Sequence, residues 1–470
     1  MLIEANKTKE AIFETKKSGS AASGYVIGIS LTAALAGFIF GFDTVVISGA
    51  NLPIKELWHT SPWFHGFFIM SMALWGTVIG AIFGGIPTQK FGRRKVLISI
   101  GILFTLSAVG TAIAPDPYTF SFFRFIGGLG IGVSSVAAPT YISEISTPAS
   151  RGRLGALYQF NIVFGILIAF LSNYFFEGVG GNNDWRWMLG VMAVPSLIYS
   201  FMVLGIPESP RWLIAKKNDI GRAKKVMSKL GVANVDAEVS SILASKEHET
   251  RSGHSSSIFN SRYKSILWLA FMVAFFNQLS GINFILYYAP EILERAGLAA
   301  KESLFNSIAI GGTNLIFTFV GLYLIDRVGR KTLLIVGSIG YIISLAMVAW
   351  CFYTHAGPGL LLTFLLLFIA AHAIGQGAVI WVFISEIFPN NVRALGQSFG
   401  ASTHWVFAAL ITLLTPVFLD SVEGIFKDNP WPIFAFFAFM MALQLVWVLM
   451  KVPETKGVSL EDLEKKLVKS

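Results

Sequence analysis

The chain has 470 residues, of which 54% are hydrophobic and only 13% charged, and its formal net charge is +9. Soluble domains carry roughly 25% charged residues, and no aqueous core could hide this much apolar surface, so lipid must solvate most of the chain. The positive charge does not point to nucleic acid, because the basic residues fall in loops between apolar runs, and the single Cys351 excludes both a disulfide framework and a cysteine-based zinc cluster.

Residues 1–23 are polar and read as a tail without a cleaved signal peptide. A bilayer core needs about 20 mostly apolar residues per helix. The runs that qualify are 24–50, 63–86, 96–114, 118–141, 154–176 and 187–206, and then, after a polar stretch, 266–290, 304–325, 333–354, 360–384, 395–418 and 431–450. The runs are continuously apolar rather than alternating, which predicts helices and not a barrel. The expected fold is therefore an all-α membrane protein of twelve transmembrane helices. Two six-helix halves, 24–206 and 263–450, are joined by a linker of short cytoplasmic helices at 207–262 and followed by a tail at 451–470. Within the linker, 219–230 and 235–248 read as amphipathic helices, and the Ser/His-rich 252–257 as a flexible connection.

Loops after odd-numbered spans hold only Lys55, Arg186, Arg295, Lys301 and Lys427, and Arg124 lies inside a span; the other 30 of 36 basic residues share one side. The positive-inside rule makes that side cytoplasmic, with both termini. The halves also repeat each other. GGIPTQKFGRRKVL at 84–97 returns as GLYLIDRVGRKTLL at 321–334. Ser143-Glu144-Ile145 with Pro148 and Arg151 returns as Ser385-Glu386-Ile387 with Pro389 and Arg393, and PESPR at 207–211 as PETKG at 453–457. Parallel repeats about an axis along the membrane normal are a transporter plan with the substrate at the midplane. A cytoplasmic gate is expected from Arg93, Arg94, Arg151, Arg211, Arg327, Arg330 and Arg393 with Glu144, Glu208, Asp326, Glu386 and Glu454. Their ion pairs would close that side and part when it opens, since ion pairs near water are individually weak.

Five strings together, PESPRWL at 207–213, NQLSGINFILYYAP at 277–290, DRVGRK at 326–331, SEIFP at 385–389 and PETKG at 453–457, make the chain resemble the sugar porters of the major facilitator superfamily. The likeness covers essentially the full length. One departure is Gln89, where relatives often carry an acid, so the first-half loop is expected to form fewer charge contacts than the second, which keeps Asp326.

A monosaccharide offers hydroxyls that donate and accept, plus an apolar face, and amides with aromatic rings match that chemistry. The resemblance implies substrate contacts from Phe40, Gln159, Asn277, Gln278, Asn283, Tyr287, Asn314, Gly377, Trp381 and Trp405, with His404 where relatives often have an amide. Gln278 and Asn283 would point about 140° apart on an unbroken helix, so both face inward only if the helix breaks at Gly281. Taken singly, a buried amide can equally bridge helices.

Asp43 is the clearest acid inside a span and Arg124 the clearest base. Charges at such depth pair or line an aqueous path. By resemblance to proton symporters, Asp43 carries a proton with Arg124 as its partner; a permanent structural pair is the alternative. One proton crossing the membrane potential supplies about 2.3 kcal/mol per 100 mV, or roughly fiftyfold accumulation. The expected activity is thus proton-coupled symport of a hexose or pentose, with passive facilitation or a non-transporting sugar sensor as alternatives. No nucleotide loop, metal cluster or nucleophile–base set suggests an enzyme, so neither a cofactor nor an obligate protein partner is expected. Short outer loops lean towards a bacterial plasma membrane.

Overall fold

The computed structural model describes residues 2–147, 150–251, 258–389, 392–458 and 460–467; the expected flexible connection at 252–257 and Pro148 lie outside them. Among the described residues, eleven helices are long and apolar enough to cross a membrane singly. The remaining crossing, second in chain order, is a bent pair, Pro62–Met70 and Met72–Phe83, meeting at 44°. The other spans are Gly24–Trp58, Arg93–Ala112, Pro117–Ile145, Arg151–Phe176, Gly181–Leu204, Ser261–Arg295, Ala300–Val328, Arg330–Thr354, Pro358–Ile387, Arg393–Leu419 and Trp431–Lys451. They are numbered below as spans one to twelve. The face carrying the basic loops is called inner and the opposite face outer.

Several spans run further than the apolar runs alone suggest. The first continues to Trp58 and the seventh to Arg295, and the polar residues on these outer turns find partners, Asn51 with Glu291 and Lys55 with Asp420. In the linker, Ile220–Lys229 starts at Asp219, whose carboxylate accepts from the Arg222 N–H as a helix cap, and Val235–Arg251 follows.

Small residues set the distances between helices. Two glycines of RFIGGLGIG face span two, where a side chain on Gly128 would strike the Ala73 carbonyl and one on Gly132 the Thr77 carbonyl, and two face span three, Gly127 against Ser107 and Gly130 against the Phe104 ring. Likewise Gly41 lies against the Ile162 carbonyl and Gly165 against that of Phe38, drawing spans one and five together beside Phe40 and Asp43.

The internal repeat is carried into three dimensions at the inner ends. Gly92 and Gly329 hold φ of +95° and +102°, and each precedes an arginine that opens a span. Arg93 forks onto Glu144 at 2.7 and 2.8 Å, and Arg330 onto Glu386 at 2.8 and 3.1 Å. Glu208 then accepts from the N–H groups of Arg93 and Arg94 (2.9 and 3.1 Å), as Glu454 does from Arg330 and Lys331 (2.9 and 3.0 Å). Each glutamate thereby caps a helix start whose N–H groups would otherwise lack partners.

Candidate functional site

Span seven breaks where the polar residues cluster. Lys264–Leu279 ends, Gly281 takes φ +85°, and Ile282–Arg295 begins. The break turns Asn283 back towards Gln278, and its Nδ2 donates to Gln278 Oε1 at 2.9 Å. Gln278 Nε2 in turn donates to Asn277 Oδ1 at 3.0 Å and faces both ring nitrogens of His404, at 3.2 and 3.1 Å. Three amides and an imidazole therefore form one connected set.

Aromatic rings enclose it. The His404 ring centre lies 5.0 Å from that of Trp381 and 4.7 Å from that of Trp405. Trp405 meets Phe40 at 5.5 Å, so this contact joins the two halves. Trp381 is 39% exposed, unlike the buried Trp405 and Phe40. A side chain on Gly377 would press on the His372 ring, whose Nδ1 is itself 2.6 Å from the Tyr341 hydroxyl, leaving His372 as a contact between spans. Gln159 and Asn314 make no side-chain hydrogen bond to the described residues and remain free to meet a ligand. Tyr287 stands beside Thr44 and within electrostatic reach of Asp43 and Arg124.

Asp43 and Arg124 are both 1% exposed and paired, with Arg124 Nη1 donating to Asp43 Oδ1 at 2.5 Å and Nη2 to the Asp43 carbonyl at 3.4 Å. Among the described residues, Asp43 Oδ2 and Arg124 Nε have no hydrogen-bond partner. An acid with one free oxygen, buried yet only partly satisfied, is an expensive arrangement to hold in a membrane.

Contacts absent from the sequence reading join the halves at the outer end. Asn51 of span one donates to Glu291 of span seven at 2.6 Å, and the His65 ring bonds Asn51 Oδ1 at 2.8 Å. Lys55 pairs with Asp420, and Lys301 with Glu177 at 3.2 Å. A side chain on Gly66 would strike the Leu413 carbonyl. The signal was present in YYAPEIL, where apolar residues continue beyond Pro290 and put Glu291 inside the span.

At the inner end the pattern is different. Among the described residues, every ion pair there lies within one half or involves the linker or tail. Asp326 holds Arg330 at 3.1 Å, Arg327 lies over the Tyr323 ring, and Arg151 and Arg393 reach the carbonyls of Ser143 and Phe388 at 3.3 Å. Arg94 donates to the Leu204 carbonyl, and Arg211 is exposed. The pairs expected to part as the inner side opens are thus formed while the outer side is shut, because each spans helices of one half. Arg93 has no counterpart to Asp326 at Gln89; its Nη1 donates instead to the Thr88 carbonyl at 3.1 Å.

Comparison with known proteins assigns the family. Residues 29–467 match the family described as sugar (and other) transporter. The chain belongs to this family. Among similar members, the arabinose-proton symporter of Bacillus subtilis is 35% identical over 95% of this chain and 96% of its own. The D-xylose-proton symporter of Escherichia coli is 32% identical over 94% and 96%. Among solved structures, a partially occluded inward-open conformation of the xylose transporter from E. coli matches with a TM-score of 0.81 at 30% identity, over 93% of this chain and all of the other. The transporter-family fold of twelve crossings in two repeated halves accords with the helices and clasps described above.

Proposed function

We propose that the chain is a proton-coupled monosaccharide symporter working by alternating access. The amide set of Asn277, Gln278 and Asn283, with Gln159, Asn314, Tyr287, His404 and the rings of Phe40, Trp381 and Trp405, binds a hexose or pentose between the halves. Gly377 leaves room beside it. Asp43 carries the proton and Arg124 sets when it is held. The observation that carries this reading is the buried Asp43–Arg124 pair with one carboxylate oxygen free, on the span that also supplies Phe40 to the aromatic enclosure. The names of the relatives, proton symporters for arabinose and xylose, support the same substrate class.

The arginine–glutamate clasps make each half a rigid block, and the linker at 207–262 joins the blocks. The outer contacts at Asn51, Lys55 and Glu177 hold the inward-facing state. The protein resides in a bacterial plasma membrane with both termini in the cytoplasm and needs neither cofactor nor obligate protein partner. The test is uptake into vesicles containing purified protein, with labelled pentoses and hexoses, with and without an imposed pH gradient. Wild type concentrates its sugar only with the gradient, and Asp43→Asn loses accumulation while keeping downhill exchange. Wild type that never concentrates sugar would leave Asp43 and Arg124 as a structural pair and the transporter passive.

A further inference from the structure

Spans seven and eleven stand apart at their inner ends and leave a groove of about 390 Å³ between them. Trp268 in its wall heads a stripe with Met272, Phe275 and Leu279, all at helical spacing and all exposed in whole or in part. An unpartnered apolar stripe on a membrane span faces lipid, so the groove opens into the bilayer and not towards the amide set. Its walls are rings: Phe259 meets Phe399 edge-on at 6.3 Å, and Trp268 stacks on Phe271 at 5.7 Å. Towards the midplane the two spans meet again, where the Phe407 ring lies 6.0 Å from that of Phe271 and 4.9 Å from that of Phe275.

The inner end of the groove has the opposite chemistry. Asn260, Ser261 and Lys264 line its mouth. Asn260 Oδ1 accepts from the Arg262 N–H at 3.2 Å, which leaves the amide NH₂ as a donor. Lys264 is exposed, and among the described residues it has no ion-pair partner. Its neighbour Arg262 reaches Glu464 of the tail only at 3.7 Å. The helical rise puts Trp268 about 6 Å and Phe271 about 10 Å deeper than Lys264. A cation and donors at the bilayer surface, with an apolar cleft running inward from them, match a phosphate headgroup followed by an acyl chain.

We propose that this groove binds an anionic phospholipid of the inner leaflet, with its phosphate at Asn260, Ser261 and Lys264 and one acyl chain laid along Trp268 and Phe271 against Phe399. A zwitterionic lipid offers the same phosphate with its own cation beside it, so a net negative headgroup is what answers the uncompensated lysine. Aromatic rings scattered along a membrane surface are ordinary interfacial anchors. Here they wall a cleft between two spans, and the cation stands at its mouth. The lipid ties span seven to span eleven on the inner side of Gln278 and His404, where those spans have parted. This inference does not depend on the sugar reading.

The experiment is lipid competition on the purified full chain in vesicles, read by tryptophan fluorescence. The Trp268 signal is the difference between each protein and its Trp268→Phe version, and acyl-brominated phosphatidylcholine quenches it on contact. Unbrominated phosphatidylglycerol should relieve that quenching with about fivefold greater affinity than unbrominated phosphatidylcholine, the preference one lysine near an anionic surface confers. Lys264→Gln should bring the two lipids to parity. Ser261→Asp, which sets a carboxylate at the mouth, should favour phosphatidylcholine. Lys95→Gln removes an exposed cation from the inner face of the other half and should keep the preference. Parity in wild type overturns the inference, as does a preference that survives both Lys264→Gln and Ser261→Asp, or one that Lys95→Gln abolishes equally. A Trp268 signal that no brominated lipid quenches also overturns it, and puts protein, such as a second copy of this chain, in the groove.

Discussion

Replacing Glu291 by Ala should shift the protein from inward- to outward-facing. Glu291 accepts from Asn51 at 2.6 Å across the two halves, and its removal also strips Asn51 of its acceptor while His65 still holds the other amide atom. A buried hydrogen bond to a carboxyl group is worth about 1.5–3 kcal/mol, and each 1.4 kcal/mol is about tenfold in population. The ratio of outward to inward states should therefore rise roughly 10- to 150-fold, if the bond exists only when the outer side is closed. Lys55 with Asp420 and Lys301 with Glu177 remain, so the inward state is weakened rather than abolished. Spin labels at Ile113→Cys and Val422→Cys would report the change, since both residues are exposed, 71% each, and lie at outer ends of different halves. Cys351 is replaced by Ser for this measurement. A longer-distance population should appear or grow in Glu291→Ala. An unchanged distance distribution, with the protein folded, would refute the assignment of Asn51–Glu291 as an outer latch.

Gln278→Ala removes the hub that holds Asn277, Asn283 and His404, and sugar affinity should drop more than about tenfold, as two lost hydrogen bonds would give; Trp381→Ala and Gln159→Ala should do likewise in calorimetry, and unchanged affinity in all three would remove the pocket. Gly281 has φ +85°, and a Cβ there would meet the Phe437 ring at 2.8 Å. Gly281→Ala should therefore cost about 1–2 kcal/mol from the left-handed backbone alone, with Gly281→Asn milder, as thermal melts would rank them. Burial raises the Glu454 carboxyl, but the N–H groups of Lys456, Arg330, Lys331 and Thr455 outweigh it and hold it below its ordinary value of about 4.5. Its contribution to stability is thus complete above that value and lost as pH falls through the lowered one. Glu454→Gln should melt earlier at neutral pH and show a shallower acid decline than wild type; identical acid limbs would contradict the clasp.

Much of the architecture was legible because bilayer thickness and helix rise tie apolar run length to a crossing. The repeat strings GGIPTQKFGRRKVL and GLYLIDRVGRKTLL likewise announced two halves before any coordinates. The break at Gly281 was legible too, since only a break could bring Gln278 and Asn283 to one side. The outer latch was not. Asn51, His65 and Glu291 lie 14 and 240 residues apart and carry no local pattern that marks them as partners. The partners of the gate arginines were also hidden, because the sequence puts Arg93 and Glu144 in one half but does not show that they pair with each other rather than with the other half. Gln376, fully buried with neither amide atom partnered among the described residues, has no account in sequence or packing.

The clasp in each half ties an early arginine to a late glutamate, 115 residues apart in the first and 124 in the second. During translation, span nine must therefore wait with uncapped N–H groups until three further helices have been made. The same spacing limits how the molecule can be divided. Two fragments separated near residue 230 would each keep a complete clasp, whereas a cut before Glu208 would leave the first fragment with an uncapped third span and a second fragment carrying a glutamate that has nothing to cap.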